Sequence, residues 1–138
     1  MTENTRVIQE IYAAFSRGDI PALLESFGDA AAFTIPGAAE IPMARTWRGR
    51  QGMLEFFTTL NQEAEFTEFA PREYIAEGDR VIVLGSYAGR VRRNGNEFRS
   101  EWVMAWRLRD GKVTEFREYN DTLALAESFG LVARAARA

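Results

Sequence analysis

The sequence predicts an α+β fold in which a curved antiparallel sheet wraps around three N-terminal helices. Three observations carry this expectation. Apolar residues recur at helical spacing up to about residue 60; from about residue 66 the pattern becomes that of strands; and the strand-like runs are separated by Gly78-Asp79, Asn94-Gly95 and Asp110-Gly111, dipeptides that suit hairpin turns. Helices grouped first and a meander afterwards make a layered α+β architecture.

Ile8, Ile11, Tyr12 and Phe15 fall on one face of a first helix ended by Gly18. Asp19 is placed to cap a second, with Pro21 in its first turn, Leu23, Leu24 and Phe27 on its buried face and Gly28 closing it. "AAAFTIPG" reads as one brief strand broken by Pro36, and "GAAEIPMARTWRG" as an irregular stretch long enough to be a binding loop. Its Ile41, Met43 and Trp47 are too apolar to be left in water. Met53, Phe56, Phe57 and Leu60 repeat the helical spacing on a third helix. Four strands follow, "TEFAPREYIAEG", "RVIVLGSYAGRVRR", "EFRSEWVMAWRLR" and "KVTEFREYND", and "TLALAESFG" makes a last short helix. A single domain over 1–130 with a tail over 131–138 is expected.

Composition narrows the chemistry. The 138 residues, 46% hydrophobic and 27% charged, suffice for one core and are few for two domains. No run approaches the roughly 20 apolar residues of a membrane span, and the polar N-terminus does not resemble a signal peptide, so a cytoplasmic protein with no membrane partner is expected. Seventeen basic residues against 20 acidic ones form no stripe to follow a phosphate backbone, so no nucleic-acid partner is expected. The absence of cysteine and histidine removes thiolate chemistry, the commonest general base and the commonest transition-metal ligands. Proton transfer falls to Asp, Glu, Tyr, Arg or the single lysine, Lys112. Of these the carboxylates are the residues to watch, because arginine and lysine titrate too high unless buried. Neither a metal nor a cofactor is expected.

Side chains alternate across a strand, so each strand divides into two faces. The bulky set Trp102, Met104 and Trp106 should fill the space under the helices. If Phe116 joins them, Glu118 and Asn120 point the same way, two polar groups beside tryptophans. A buried carboxylate normally protonates or finds a partner, and a carboxyl titrating near neutrality is what general acid–base catalysis needs. Glu118 and Asn120 are therefore the catalytic candidates, together with Asp121, which is also well placed to cap the final helix. Leu84 and Ser86 are assigned to the inner wall, and Val83, Tyr87, Val103 and Tyr119 to an outer face suited to a homodimer.

The order of parts, "EIYAAFSRGDIPALLESFGD", then Trp47-Arg48-Gly49, "MLEFF", the hairpins and "DGKVTEFREYND", resembles the nuclear transport factor 2-like superfamily, within it the SnoaL-like and ketosteroid isomerase-like proteins, up to about residue 130. The resemblance implies a cone-shaped α+β barrel around a deep apolar pocket, commonly dimerising through the outer sheet face. Ketosteroid isomerases carry an oxyanion tyrosine, a base and a protonated aspartate where this chain has Ile11 (Tyr12 is next to it), Ile35 and Met104. Limonene epoxide hydrolases carry an arginine and aspartate where Ser86 and Ala88 stand, and a tyrosine and asparagine at Phe33 and Ile35. The acidic residue on the last strand shared by epoxide hydrolases and SnoaL-type cyclases falls on Glu118.

The expected protein binds a small apolar or carbonyl-bearing ligand against Ile11, Tyr12, Phe15, Phe33, Ile35, Trp47, Phe56, Leu84, Ser86, Trp102, Met104, Trp106 and Phe116. Glu118 acts as general acid or base in an isomerase, cyclase or lyase reaction, with Asn120 or Tyr12 as hydrogen-bond donor. The alternatives are a pocketed binding or dimerisation module without catalysis and an epoxide-hydrolase-like hydrolase. An arginine paired with Glu118 would favour the binding module.

Overall fold

The computed structural model describes residues 2–133, so the tail expected from residue 131 lies, beyond 133, outside the described residues. Helix α1 (Glu3–Ser16) starts at Thr2, whose side chain accepts from the Thr5 amide, and buries Ile8, Ile11 and Tyr12, the face its spacing predicted. Asp19 caps α2 (Ile20–Glu25) by accepting from the Ala22 amide at 3.2 Å. This helix is shorter than expected. Phe27 and Gly28 already belong to strand β1 (Phe27–Thr34), because Phe27 pairs with Val113 and a side chain at position 28 would press on the Val113 carbonyl at 3.3 Å.

The stretch expected to be irregular contains a short strand, β2 (Thr46–Arg48), antiparallel to β1, and it leads into α3 (Gly49–Glu63), which buries Met53 and Phe56. The meander follows as β3 (Ala64–Glu77), β4 (Arg80–Val91), β5 (Glu97–Arg109) and β6 (Lys112–Asn120), and α4 (Thr122–Ser128) ends it. Gly78, Gly95 and Gly111 take positive φ at the three joints, as hairpin turns require.

The sheet has six strands in the order β2-β1-β6-β5-β4-β3 and does not close. It is mixed, because β6 returns beside β1 in the same direction, while every other pair is antiparallel. The antiparallel barrel expected from the sequence is thus an open cone with one parallel seam. Long β3, with Pro71, lies at an edge, where a missing N–H is tolerated.

Registers define the inner face. Phe116, Glu118 and Asn120 of β6 stand opposite Trp106, Met104 and Trp102 of β5, which stand opposite Val81, Val83 and Gly85 of β4. The same face continues through Tyr87 and Gly89 to Val91. Phe27, Phe116, Ile8, Leu23 and Met53 are fully buried between this face and the helices. Each such side chain contributes about 1.5–3 kcal/mol relative to exposure.

Candidate active site

The concave face, α1, α3 and the 35–43 segment enclose a cavity of about 100 Å³. Ile11, Tyr12 and Phe15 reach it from α1, Phe56 and Leu60 from α3, Phe33 and Ile35 from β1 and its exit, and Ile41 and Met43 from the following loop. The sheet adds Phe66, Phe69, Tyr87, Phe98, Met104, Trp106, Phe116, Glu118 and Asn120, and Leu125 and Phe129 come from α4 and its end. The wall is aromatic: Phe33 stacks on Phe116 with ring centroids 3.9 Å apart, and Phe15 meets Phe69 at 4.9 Å.

Glu118 is 7% exposed, and it is the one carboxylate among the described lining residues. Its Oε2 accepts from the Tyr87 hydroxyl at 2.7 Å and from the Asn120 side-chain amide at 2.7 Å, and the same amide donates to the Tyr87 oxygen at 3.1 Å. Among the described residues none hydrogen-bonds Oε1, and no arginine or lysine pairs with the carboxylate. Burial pushes the Glu118 carboxyl above its ordinary range, and the bonds from Tyr87 and Asn120 pull against that shift without cancelling it. Tyr87 is held neutral by burial and then by the charge of Glu118; its hydroxyl remains a donor.

Tyr12 forms the second polar point. It accepts from the Trp106 indole at 3.1 Å and turns its own proton to the Met104 sulfur at 3.1 Å. Burial raises its titration well above that of a free tyrosine. A thioether is a weak acceptor, so this proton is available to a better one. Two buried polar atoms have no partner among the described residues, Asn120 Oδ1 and Trp102 Nε1. No group of three His, Cys, Asp or Glu among the described residues is arranged to hold a metal ion.

Of the residues singled out in the sequence, Ile11, Tyr12, Phe15, Phe33, Ile35, Phe56, Met104, Trp106, Phe116, Glu118 and Asn120 meet at this cavity. Five do not. Trp47 is buried behind the wall, where its indole donates to the Met43 carbonyl at 3.0 Å and Arg45 lies 4.1 Å over its ring. Trp102 shares the inner face but lies across Gly85 and packs on Tyr12, Phe69 and Tyr87. Leu84 and Ser86 face outward, Ser86 accepting from Arg72 at 2.6 Å. Asp121 caps α4 by accepting from the Ala124 amide at 3.0 Å.

The inner and outer faces of β4 are thus the reverse of those expected, and Val83 and Tyr87, assigned outside, lie inside. Glycines 85 and 89 share the inner face, where a side chain would meet Trp102 at 2.5 Å and Phe98 at 2.8 Å. The empty positions opposite large rings disguise the buried face as the weaker one. Arg80 and Arg90 at the two ends of the other set were the signal for the solvent side.

Residues 8–116 match the SnoaL-like domain family, and the chain belongs to that family. Its fold is that of the NTF2-like proteins. One from Burkholderia xenovorans is 37% identical and superposes with a TM-score of 0.84 over 91% of this chain and 95% of its own. Another, from Burkholderia thailandensis, is 30% identical, with a TM-score of 0.83 over 94% and 98%. TerC, co-crystallised with polyporic acid, is 29% identical, with a TM-score of 0.84 over 94% and 99%. Uncharacterized protein YesE of Bacillus subtilis is 24% identical over 125 residues, 89% of this chain and 84% of its own.

Proposed function

We propose that the cavity binds a small, mostly apolar carbonyl compound and that Glu118 moves a proton at the carbon next to the carbonyl, as in isomerase, cyclase or lyase reactions. The observation that carries this reading is a buried carboxyl in an aromatic cavity, clamped through Oε2 by two neutral donors and left without a cation among the described residues. Oε1 takes the proton. Tyr12, whose hydroxyl is spent on a sulfur, donates to the carbonyl oxygen as negative charge develops there. Tyr87 and Asn120 hold the carboxylate in place, and its raised titration range suits a base working near neutrality. The co-crystallisation of the relative TerC with polyporic acid supports a ligand-binding role for this cavity.

The test is deuterium exchange at the α-carbon of a panel of cyclic ketones, followed by NMR. The wild type is expected to accelerate exchange, and Glu118→Gln to lower the rate by about 10²-fold or more. Equal rates in both proteins would reject the acid–base role and leave a binding module. The apolar residues Ile11, Ile35 and Met104, at positions where ketosteroid isomerases carry their catalytic groups, favour that second reading.

We also infer that two copies pair through the outer sheet face, where Ile75 and Tyr119 are 58% and 54% exposed beside half-buried Leu84 and Val103.

A further inference from the structure

The cavity of about 100 Å³ is smaller than the roughly 150 Å³ that houses benzene, so it accommodates the reacting end of a ligand and not a whole ring system. Behind part of its wall lies a groove of about 760 Å³, bordered by the end of α1, by α3 and by the start of β3. Phe15, Leu60, Ala64, Phe66 and Phe69 line both spaces. All but Ala64 are half-buried, so a single layer of side chains divides the cavity from the groove.

That layer depends on an irregularity in β3. Plain alternation would put Phe66 and Phe69, three residues apart, on opposite faces. A register shift between Phe66 and Glu68 sets them opposite Gly89 and Tyr87, and both point inward. The ring of Phe69 lies 6.0 Å from that of Tyr12 and 6.1 Å from that of Tyr87, so the layer stands beside the polar end of the cavity. Phe15 completes it from the last turn of α1, in ring contact with Phe57, Phe66 and Phe69.

We propose that the groove is the distal half of the ligand site. The ligand is an elongated carbonyl compound: its carbonyl end lies in the cavity at Glu118 and Tyr12, and its uncharged apolar tail passes the displaced ring of Phe15 into the groove. Ile20, Leu54 and Phe57 extend the apolar surface beyond the shared residues. The acidic side chains at the rim are already paired, Glu65 with Arg92 at 3.6 Å and Glu68 with Arg99 at 3.1 Å, and they call for no charge on the tail. The inference rests on reading the cavity as the ligand site and adds the length and shape of the molecule; it does not require that Glu118 transfer a proton.

The experiment titrates the full-length protein at neutral pH with methyl ethyl, methyl butyl and methyl hexyl ketone, followed by NMR. Affinity is expected to rise at least about tenfold from the ethyl to the hexyl ketone, since each fully buried methylene is worth roughly fourfold. The hexyl ketone should move the ring resonances of Phe15 and the signals of Ile20 and Asn61, which border the groove and not the cavity; the ethyl ketone should leave Ile20 and Asn61 in place. Leu54→Glu, at a position already 42% exposed, puts a charge in the groove and should shrink the ratio between the two affinities. A wild-type ratio short of tenfold, an unchanged ratio in Leu54→Glu, or silence of Ile20 and Asn61 with the hexyl ketone overturns the proposal. If none of the three binds, it falls together with the ligand-binding role of the cavity. Failure of deuterium exchange with the chain-length gain intact counts against the acid–base reading alone, and exchange on short ketones without that gain counts against the groove alone.

Discussion

Tyr87 and Glu118 show how one contact sets the character of a site. The hydroxyl of Tyr87 donates to the carboxylate and favours its charged form, against the burial that disfavours it. Tyr87→Phe is expected to raise the titration of Glu118 further, read by carbon-detected NMR with Glu118→Gln to assign the resonance; an unchanged or lowered value would reject this account. The same shift has a consequence for stability. Because the folded state holds the Glu118 proton to higher pH than the unfolded chain, its contribution is intact below the unfolded value of about 4.3 and is lost as pH rises through the folded value. Thermal unfolding of wild type and Glu118→Gln across that window should show the variant gaining on the wild type as pH rises. A constant difference would mean that Glu118 titrates alike folded and unfolded. The inward direction of Glu118 was legible from the parity of β6, anchored by Phe116. The role of Tyr87 was not, because its two nearest neighbours of the same parity, Gly85 and Gly89, have no side chains, and the valines that mark the buried face, Val83 and Val91, stand four residues away.

Among the elements, β4 carries the most unusual requirement. Gly85 leaves room for the Trp102 indole: a Cβ there would stand 2.5 Å from the ring and equally close to the Ala70 carbonyl. Neither neighbour is the free end of a flexible chain. Gly85→Ala is therefore expected to destabilise the fold by about 1–3 kcal/mol, measured by urea unfolding; a loss within about 0.5 kcal/mol, the range of ordinary surface changes, would show that Trp102 can move aside. The helices were legible because each buries one stripe and announces it every three or four residues, and the hairpins because their turns need Gly or Asn-Gly chemistry. Strand β2 was hidden in a stretch with no alternation, since three residues, Thr46, Trp47 and Arg48, form it only by pairing with Ala32 to Thr34.

For the whole molecule, the outer face of the sheet is where large hydrophobic side chains, Ile75 and Tyr119, stand exposed among the described residues. Its proposed pairing predicts a dimer in sedimentation velocity and a shift to monomer in Tyr119→Glu and in Ile75→Glu, with α1 and the cavity untouched. A wild-type monomer at all concentrations would remove the homodimer. Among the described residues no helix is long and apolar enough to cross a membrane. Local chemistry, written in spacing, turn residues and caps, was enough to determine the α+β class, the order of the elements other than β2, the inward Glu118 and Asn120, and the caps at Asp19 and Asp121. The parallel seam between β1 and β6, the reversal of β4, the displacement of Trp47 and Trp102 from the cavity wall, and the clamp of Tyr87 and Asn120 on Glu118 emerged only from packing. Most join residues far apart in the chain, Tyr87 to Glu118, Gly85 to Trp102, Phe27 to Val113, and such contacts depend on register and on which ring fills which gap. Neither is encoded by any one stretch of sequence.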